Sequence, residues 1–397
     1  IVMIYLDYAA TTPMSDQALK VYRQVAEKYY GNTESIHDVG TAAEKILEAS
    51  REQLAGYIKA EPKSIYFTGS GSEANYLAIH SLLRGHPDKG NHILTTGAEH
   101  SSVRHTLNAL HDEGYEVEHI PVDQQGRVDL EALDNLIRED TVLAAIHHAN
   151  AEIGTIQDIE QIADLLSRRG VLFHSDCVQT FGKLAIDVQQ VPFDSLAVSG
   201  HKFHGPKGVG LLYVHPDTDW KPTIPGTVHE KGMRFGTVNT PAVAAMAEAA
   251  DQVFEHRTSE FNRLRELRNY FLSSLDSFEG DYAVEGAADD EVMPNIIGMR
   301  VKGMEGQYVM SECNRFGVAI STGSACHVSK QEPSASMRAL DRDRQQSLEF
   351  VRFSFGKDTT KDKINRAIEV LNEIVSRHYQ KIYGKTTPEP SGEVTEE

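Results

Sequence analysis

The stretch SIYFTGSGSEANYLAIHSLLRG (residues 64–85) decides the fold. Its short apolar run, Ile65-Tyr66-Phe67, meets a Gly/Ser turn and then an amphipathic segment, which predicts strand, loop and helix. The loop Gly69-Ser70-Gly71-Ser72-Glu73-Ala74 fits G-x-G-x-x-A, a variant of the dinucleotide fingerprint. Its context argues against a dinucleotide. A long stretch precedes it, and Asp88, the acid nearest the expected ribose position, has no strand before it. What remains is a turn of small residues that bares backbone N–H groups at a helix N-terminus, which suits one phosphate. On this segment alone the plainer reading, a tight turn with Ser72 capping the helix, stays open.

Outward from this stretch the texture repeats. Short β-rich runs at 65–68, 92–95, 116–120, 142–147, 171–174, 195–199 and 210–214 alternate with helical patterns such as 130–138 and 159–169. Such alternation predicts an α/β fold, a mostly parallel central sheet covered by helices. After about Thr240 an Ala- and Glu-rich helical stretch (242–274) leads into shorter strands, such as 351–355. The expected organisation is a large domain over 15–255 and a smaller α+β domain formed by 1–14 and 256–385. The polar, acidic tail 386–397 is expected to be disordered.

Composition narrows the function. The 397 residues are 40% hydrophobic and 24% charged, as in ordinary globular proteins. A formal charge of −19, from 39 Lys+Arg against 58 Asp+Glu, argues against a nucleic-acid footprint. Apolar runs are too short to span a bilayer. The N-terminus IVMIYLDYAATTP lacks a basic region and meets Asp7 early, so it does not read as a secretory signal; Met3 reads as the native start. Three cysteines, Cys177, Cys313 and Cys326, give no disulfide framework, which fits a reducing cytoplasm.

The densest chemical signal is SLAVSGHKFHGPKGVGLLYV (residues 195–214). A strand ends in Ser199-Gly200-His201-Lys202, where open α/β sheets bind ligands. A lysine there could condense with an aldehyde cofactor while Ser and His hold a phosphate. Upstream, VLFHSDCVQTFGK places Asp176 at a strand end with Gln179 close behind. Pyridoxal phosphate needs such an acid against its ring nitrogen, because the protonated ring is the electron sink. A lone lysine in a turn is usually just solvated, and a lone aspartate at a strand end usually caps a helix. Lysine, aspartate and the Gly71-Ser72 cup together form a constellation that caps alone would not explain, so the opening loop is read as the cradle for that phosphate.

At this point the chain resembles the NifS/IscS-like cysteine desulfurases of the class-V aminotransferase fold, a type I fold of pyridoxal-phosphate enzymes. The likeness runs nearly end to end, through YLDYAATTP, YGNTESIHDVG, FTGSGSEAN, EHSSV, ANAEIGTIQ, FHSDCVQTFGK, SGHKFHGPKG, MRFGTVNT, STGSAC and VRFSFG. The resemblance implies that Lys202 holds the cofactor and Asp176 pairs with its ring nitrogen. Gln179 would meet the ring hydroxyl, and His100 would stack on the ring and shuttle protons. Gly71, Ser72, Ser199 and His201 would cradle the phosphate, with Thr237 reaching it across a homodimer interface. Asn32 and Arg352 would serve the substrate, Arg352 clamping its carboxylate. Cys326, in a polar stretch after Gly323, would be the nucleophile, and no metal is implied. Cys177 and Cys313 read as small buried hydrophobes.

Three departures stand against the family pattern. Its Asn-Asn-Glu is Asn150-Ala151-Glu152 here, its glycine triplet is Gly226-Thr227-Val228, and Thr33-Glu34 replace Pro-Ser. Losing one hydrogen bond to a charged group costs about 1.5–3 kcal/mol, enough to weaken substrate binding without abolishing chemistry. The implied activity is conversion of L-cysteine to L-alanine, with the sulfur passed from Cys326 to an acceptor protein. The competing readings are a selenocysteine lyase, a small-substrate aminotransferase and a degenerate, regulatory cofactor-binding protein. An aminotransferase needs no mobile cysteine, and STGSAC speaks against it.

Overall fold

Runs that are apolar at every position, rather than at alternate ones, demand a sheet covered on both faces. The computed structural model, which describes residues 3–288, 290–323 and 333–383 with side chains to 380, has that sheet. After a two-residue strand β1 (Ile4–Tyr5) come β2 (Ile65–Thr68), β3 (His92–Thr96), β4 (Glu116–Ile120), β5 (Thr141–Ala145), β6 (Leu172–Asp176), β7 (Ser195–Ser199) and β8 (Gly210–Val214). The last seven pair in the order β2-β8-β7-β6-β5-β3-β4. Only β8 runs against its neighbours. The other six strands therefore end at one common edge, which positions everything that follows.

Alternate residues of each strand feed opposite faces. Phe67, Leu94, Phe173, Leu196 and Leu211 pack with Leu47, Leu54 and Ala245 on one side. Tyr66, Ile93, Leu172, Ala197 and Leu212 pack with Leu77, Leu82 and Leu107 on the other. Each buried leucine, isoleucine or phenylalanine among them contributes about 1.5–3 kcal/mol.

A second core surrounds β9 (Tyr282–Glu285), β10 (Ile296–Val301), β11 (Val318–Ala319) and β12 (Phe350–Ser354). Three of these form an antiparallel sheet, β12-β10-β9, while β11 pairs in parallel with β1. Leu6 of the N-terminal arm is buried in this core with Phe271, Met299 and Phe353. The helical stretch read over 242–274 is two helices, Thr240–Glu255 and Arg257–Ser274, parted at His256. The first packs on the large core and the second on the small one, so the break hands the chain from one to the other.

Candidate active site

The common strand edge opens onto a cleft of about 480 Å³. Two adjacent strands set its floor. Asp176 closes β6 in register with Ala197 of β7, and β7 continues through Ser199 into the turn Gly200–Lys202. Lys202 therefore enters the cleft one strand over from Asp176. Its Nζ donates to the carbonyls of Ala9 and Ala10 at 2.6 and 2.8 Å, so the N-terminal arm forms one wall. Burial, then the positive charges of Arg352 and Lys183, push Lys202 down to about 7. Lys183, pushed down to about 8 by burial, donates to the Lys202 carbonyl at 3.3 Å.

Asp176 is fixed by two donors, Asn75 Nδ2 and the Val178 N–H, each at 2.9 Å. Asn75 Oδ1 lies 2.9 Å from His174 Nε2, and His174 Nδ1 lies 2.8 Å from Ser195 Oγ. Burial pushes His174 down to about 4, so the ring behind this chain of contacts is neutral at pH 7. Asn75 escaped the sequence reading, yet it had a signal. It follows Gly71 by one helical turn, a polar residue on the helix's buried face.

Gly71 opens the helix Gly71–Gly85. A Cβ there would lie 2.7 Å from Val178 Cγ2 and 3.0 Å from Ser199 Cβ, so only glycine lets the helix start press onto the ends of β6 and β7. The cap is Ser70, which accepts from the Glu73 N–H at 3.0 Å, and not Ser72. Ser72 instead stands exposed in the cleft lining. Ser199 is buried and lines the same cleft.

The walls bring further predicted residues together. Gln179 Nε2 donates to the Ala9 carbonyl at 3.0 Å. His201 Nδ1 lies 3.0 Å from Thr11 Oγ1, and burial with the Lys202 charge pushes the ring down to about 4. His100 caps the helix Ser101–Asp112, its Nδ1 accepting from the Ser102 N–H at 3.2 Å. Its ring edge is open to the cleft, but desolvation holds it below the usual imidazole range. Arg352 of β12 is buried; Nη1 donates to the Ala151 carbonyl at 2.8 Å and Nη2 to Asp7 Oδ1 at 2.9 Å. Its Nε has no partner among the described residues. Behind the wall, Glu99 Oε1 lies 2.8 Å from His147 Nδ1, and both residues are buried.

Two predicted residues are elsewhere. Asn32 is exposed, its Oδ1 accepting from the Glu34 N–H at 3.0 Å, and Thr237 is exposed on a loop; neither lines this chain's cleft. Cys326 lies outside the described residues, three positions past Gly323, which does line the cleft. Cys177 and Cys313 are buried, and burial pushes both thiols up to about 12.

The sequence matches the aminotransferase class-V family over residues 4–367. The chain belongs to that family. Among its relatives are a NifS protein of Bacillus subtilis (strain 168), 44% identical across 93% of this chain and 94% of that one. The cysteine desulfurase IscS of Dictyoglomus turgidum is 35% identical across 94% and 95%. A solved NifS-like protein superposes with a TM-score of 0.88 at 29% identity, covering 95% of this chain and all of that one. A structure of SspA in complex with cysteine gives 0.78 at 28% identity, over 89% and 98%.

Class-V aminotransferases are pyridoxal-phosphate enzymes, and the cleft floor fits that group. A lysine with its amine held near neutrality, a carboxylate locked by two donors and a helix start opened by Gly71 supply what an aldehyde, a ring nitrogen and a phosphate require.

Proposed function

We infer that the protein is a pyridoxal-phosphate-dependent cysteine desulfurase. The observation that carries this is the cleft, where Lys202 and Asp176 on the floor meet Arg352 and Gly323, three residues before Cys326, on the rim. Similarity to proteins named cysteine desulfurase supports the same reading.

Bound pyridoxal phosphate supplies an electron sink for charge developing at the substrate Cα. Lys202 would hold it through Nζ and, once freed, take the Cα proton; an amine near 7 is half neutral at physiological pH and suits that work. Asp176 would keep the ring nitrogen protonated. The Gly71 N–H, Ser72, Ser199 and His201 would hold the phosphate, Gln179 the ring hydroxyl, and His100 would face the ring and carry protons. Arg352, its Nε unpartnered, would take the substrate carboxylate.

The sulfur step balances as L-cysteine plus the Cys326 thiol giving L-alanine plus a Cys326 persulfide. The C–S electron pair stays on Cβ, which gains a proton, while an S–S bond forms at Cys326. An acceptor protein would then remove the outer sulfur in a thiol exchange and return the thiol. Asn32 would also serve the substrate.

We read residues 15–255 as the large domain and 1–14 with 256–385 as the small one. We also take the protein to be a cytoplasmic homodimer. Thr237 is exposed and does not line its own cleft, and Ile224, Val228 and Phe235 on the same loop region are 46%, 65% and 58% exposed, an apolar surface suited to a second copy. Light scattering should give twice the 44.0 kDa chain mass. No helix among the described residues is long and apolar enough to cross a membrane.

The decisive experiment is mass spectrometry of the holoenzyme after brief exposure to L-cysteine. One added sulfur on the Cys326 peptide is expected, and Cys326→Ala should keep its cofactor while losing persulfide and nearly all alanine release. Sulfur on Cys177 or Cys313, or full turnover by Cys326→Ala, would overturn the assignment.

A further inference from the structure

Glu152 stands on a rigid turn at the cleft rim. Asn150 Oδ1 accepts from the Glu152 and Ile153 N–H groups at 2.8 and 2.9 Å, and Asn150 is buried, so the turn is fixed from below. The carboxylate does not point into solvent. Its Oε2 accepts from Ser334 Oγ at 2.5 Å and from the Ser336 N–H at 3.0 Å. Ser336 Oγ adds a bond to Asn150 Oδ1 at 3.1 Å. On the other side, a Cβ at Gly323 would lie 2.7 Å from Glu152 Oε1 and 2.6 Å from Ser334 Cβ. Gly323 and Ser334 bracket, with Pro333, the stretch that carries Cys326. One carboxylate thus touches both described flanks of that stretch, and the glycine is what lets them meet there.

We propose that Glu152 is a positioning residue for sulfur transfer: by clasping residue 323 to residues 334 and 336 it fixes the two described flanks between which Cys326 lies in the sequence. This rests on the reading of Cys326 as the thiol that takes the sulfur. Bonds from a hydroxyl and an N–H to a carboxylate are charge-assisted and stronger than neutral ones, which suits a clasp. Displacing a reacting group by about 1 Å costs up to roughly 100-fold in rate. The clasp acts on position, so a neutral acceptor of the same shape should keep it.

The test compares Glu152→Ala, Glu152→Gln and Gly323→Ala holoenzymes with the parent, all loaded with pyridoxal phosphate. Two rates are read after mixing with L-cysteine: the change in the cofactor's visible absorbance, and the appearance of sulfur on the Cys326 peptide. The expected result is an unchanged absorbance rate in all three variants. Persulfide formation should slow by about 10- to 100-fold in Glu152→Ala and Gly323→Ala, and by less than about threefold in Glu152→Gln. KM should hold while kcat falls. Equal loss of both rates, or persulfide formation in Glu152→Ala at the parent rate, would overturn the proposal. So would a Gln variant as slow as the Ala variant, since Glu152 would then act by its charge on nearby His100 and His147. Gly323→Ala keeps the carboxylate, so the test survives if Glu152→Ala fails to fold. If the parent itself places no sulfur on Cys326, the functional reading fails, and that outcome is distinct from a failure of the clasp.

Discussion

The floor and the rim of the cleft are built in opposite ways. The floor is local: Asp176, Gln179, Ser199, His201 and Lys202 sit on two neighbouring strand ends and the turns that leave them. Asp176, Gln179 and Ser199 are buried and His201 and Lys202 half-buried, and the polar groups of Asp176, Gln179, His201 and Lys202 are tied to backbone or to Asn75 and Thr11. The rim is assembled from afar: Glu152 reaches Ser334 across 182 residues, and Arg352 reaches Asp7 across 345. The difference follows the chemistry each must perform. A cofactor that stays bound is served by a preorganised, sealed floor, whereas a sulfur that must arrive and leave needs a rim reached by chain from another core.

The largest expected effect breaks the floor. Lys202→Ala should release the cofactor on gel filtration and lower alanine formation by at least about 10³-fold, since covalent hold and proton transfer are lost together. The intact lysine offers a finer test. Burial and the neighbouring cations push its amine down to about 7, so the neutral form dominates above that pH. Cofactor capture by apoprotein, followed by visible absorbance, should therefore fall as pH drops through about 7. A midpoint near the ordinary lysine value would show that the floor is wetter than its packing implies.

The same contrast explains what was legible in the sequence. Each floor residue lies within one contiguous strand-and-turn segment, so apolar runs and their punctuation located it. The strand read over 171–174 reaches Asp176, making the acid the strand's last residue instead of one just past it. The rim was legible only as isolated motifs. Nothing in ANAEIG states that its glutamate meets a serine nearly two hundred positions on, and nothing in FGTVNT states that Thr237 lies outside the lining of its own cleft. Asn75 falls between the two, visible as a polar residue one turn past Gly71 but without a partner until β6 is placed beside it.

A medium effect sharpens the floor's account of Gly71. The backbone there is ordinary helix, so the glycine is kept for space and not for conformation. Gly71→Ala should gain up to about 1 kcal/mol from helix propensity. Against that stand contacts at 2.7 and 3.0 Å to Val178 and Ser199, and overpacking of this kind costs about 1–3 kcal/mol. Overpacking wins, with the helix start pushed off the strand ends. Apoprotein should bind pyridoxal phosphate about tenfold more weakly, while the melting temperature falls by only a few degrees. Unchanged affinity would mean that the phosphate is not held at this helix start.

The smallest effects belong to the two sealed cysteines, and they test whether burial keeps these two out of the sulfur step. Cys177 directly follows Asp176 yet is fully buried, and Cys313 lies in the second core. Burial pushes both thiols up to about 12, leaving almost no thiolate at pH 7. Cys177→Ala and Cys313→Ala should each cost about 1 kcal/mol of stability through a small cavity, with turnover and persulfide yield within about twofold of the parent. Thiol titration of the folded protein should count one reactive cysteine, rising to three in denaturant. A second fast-reacting thiol in the folded state would place one of these cysteines within reach of solvent. The distinction between a sealed interior and an open rim would then fail at its simplest point.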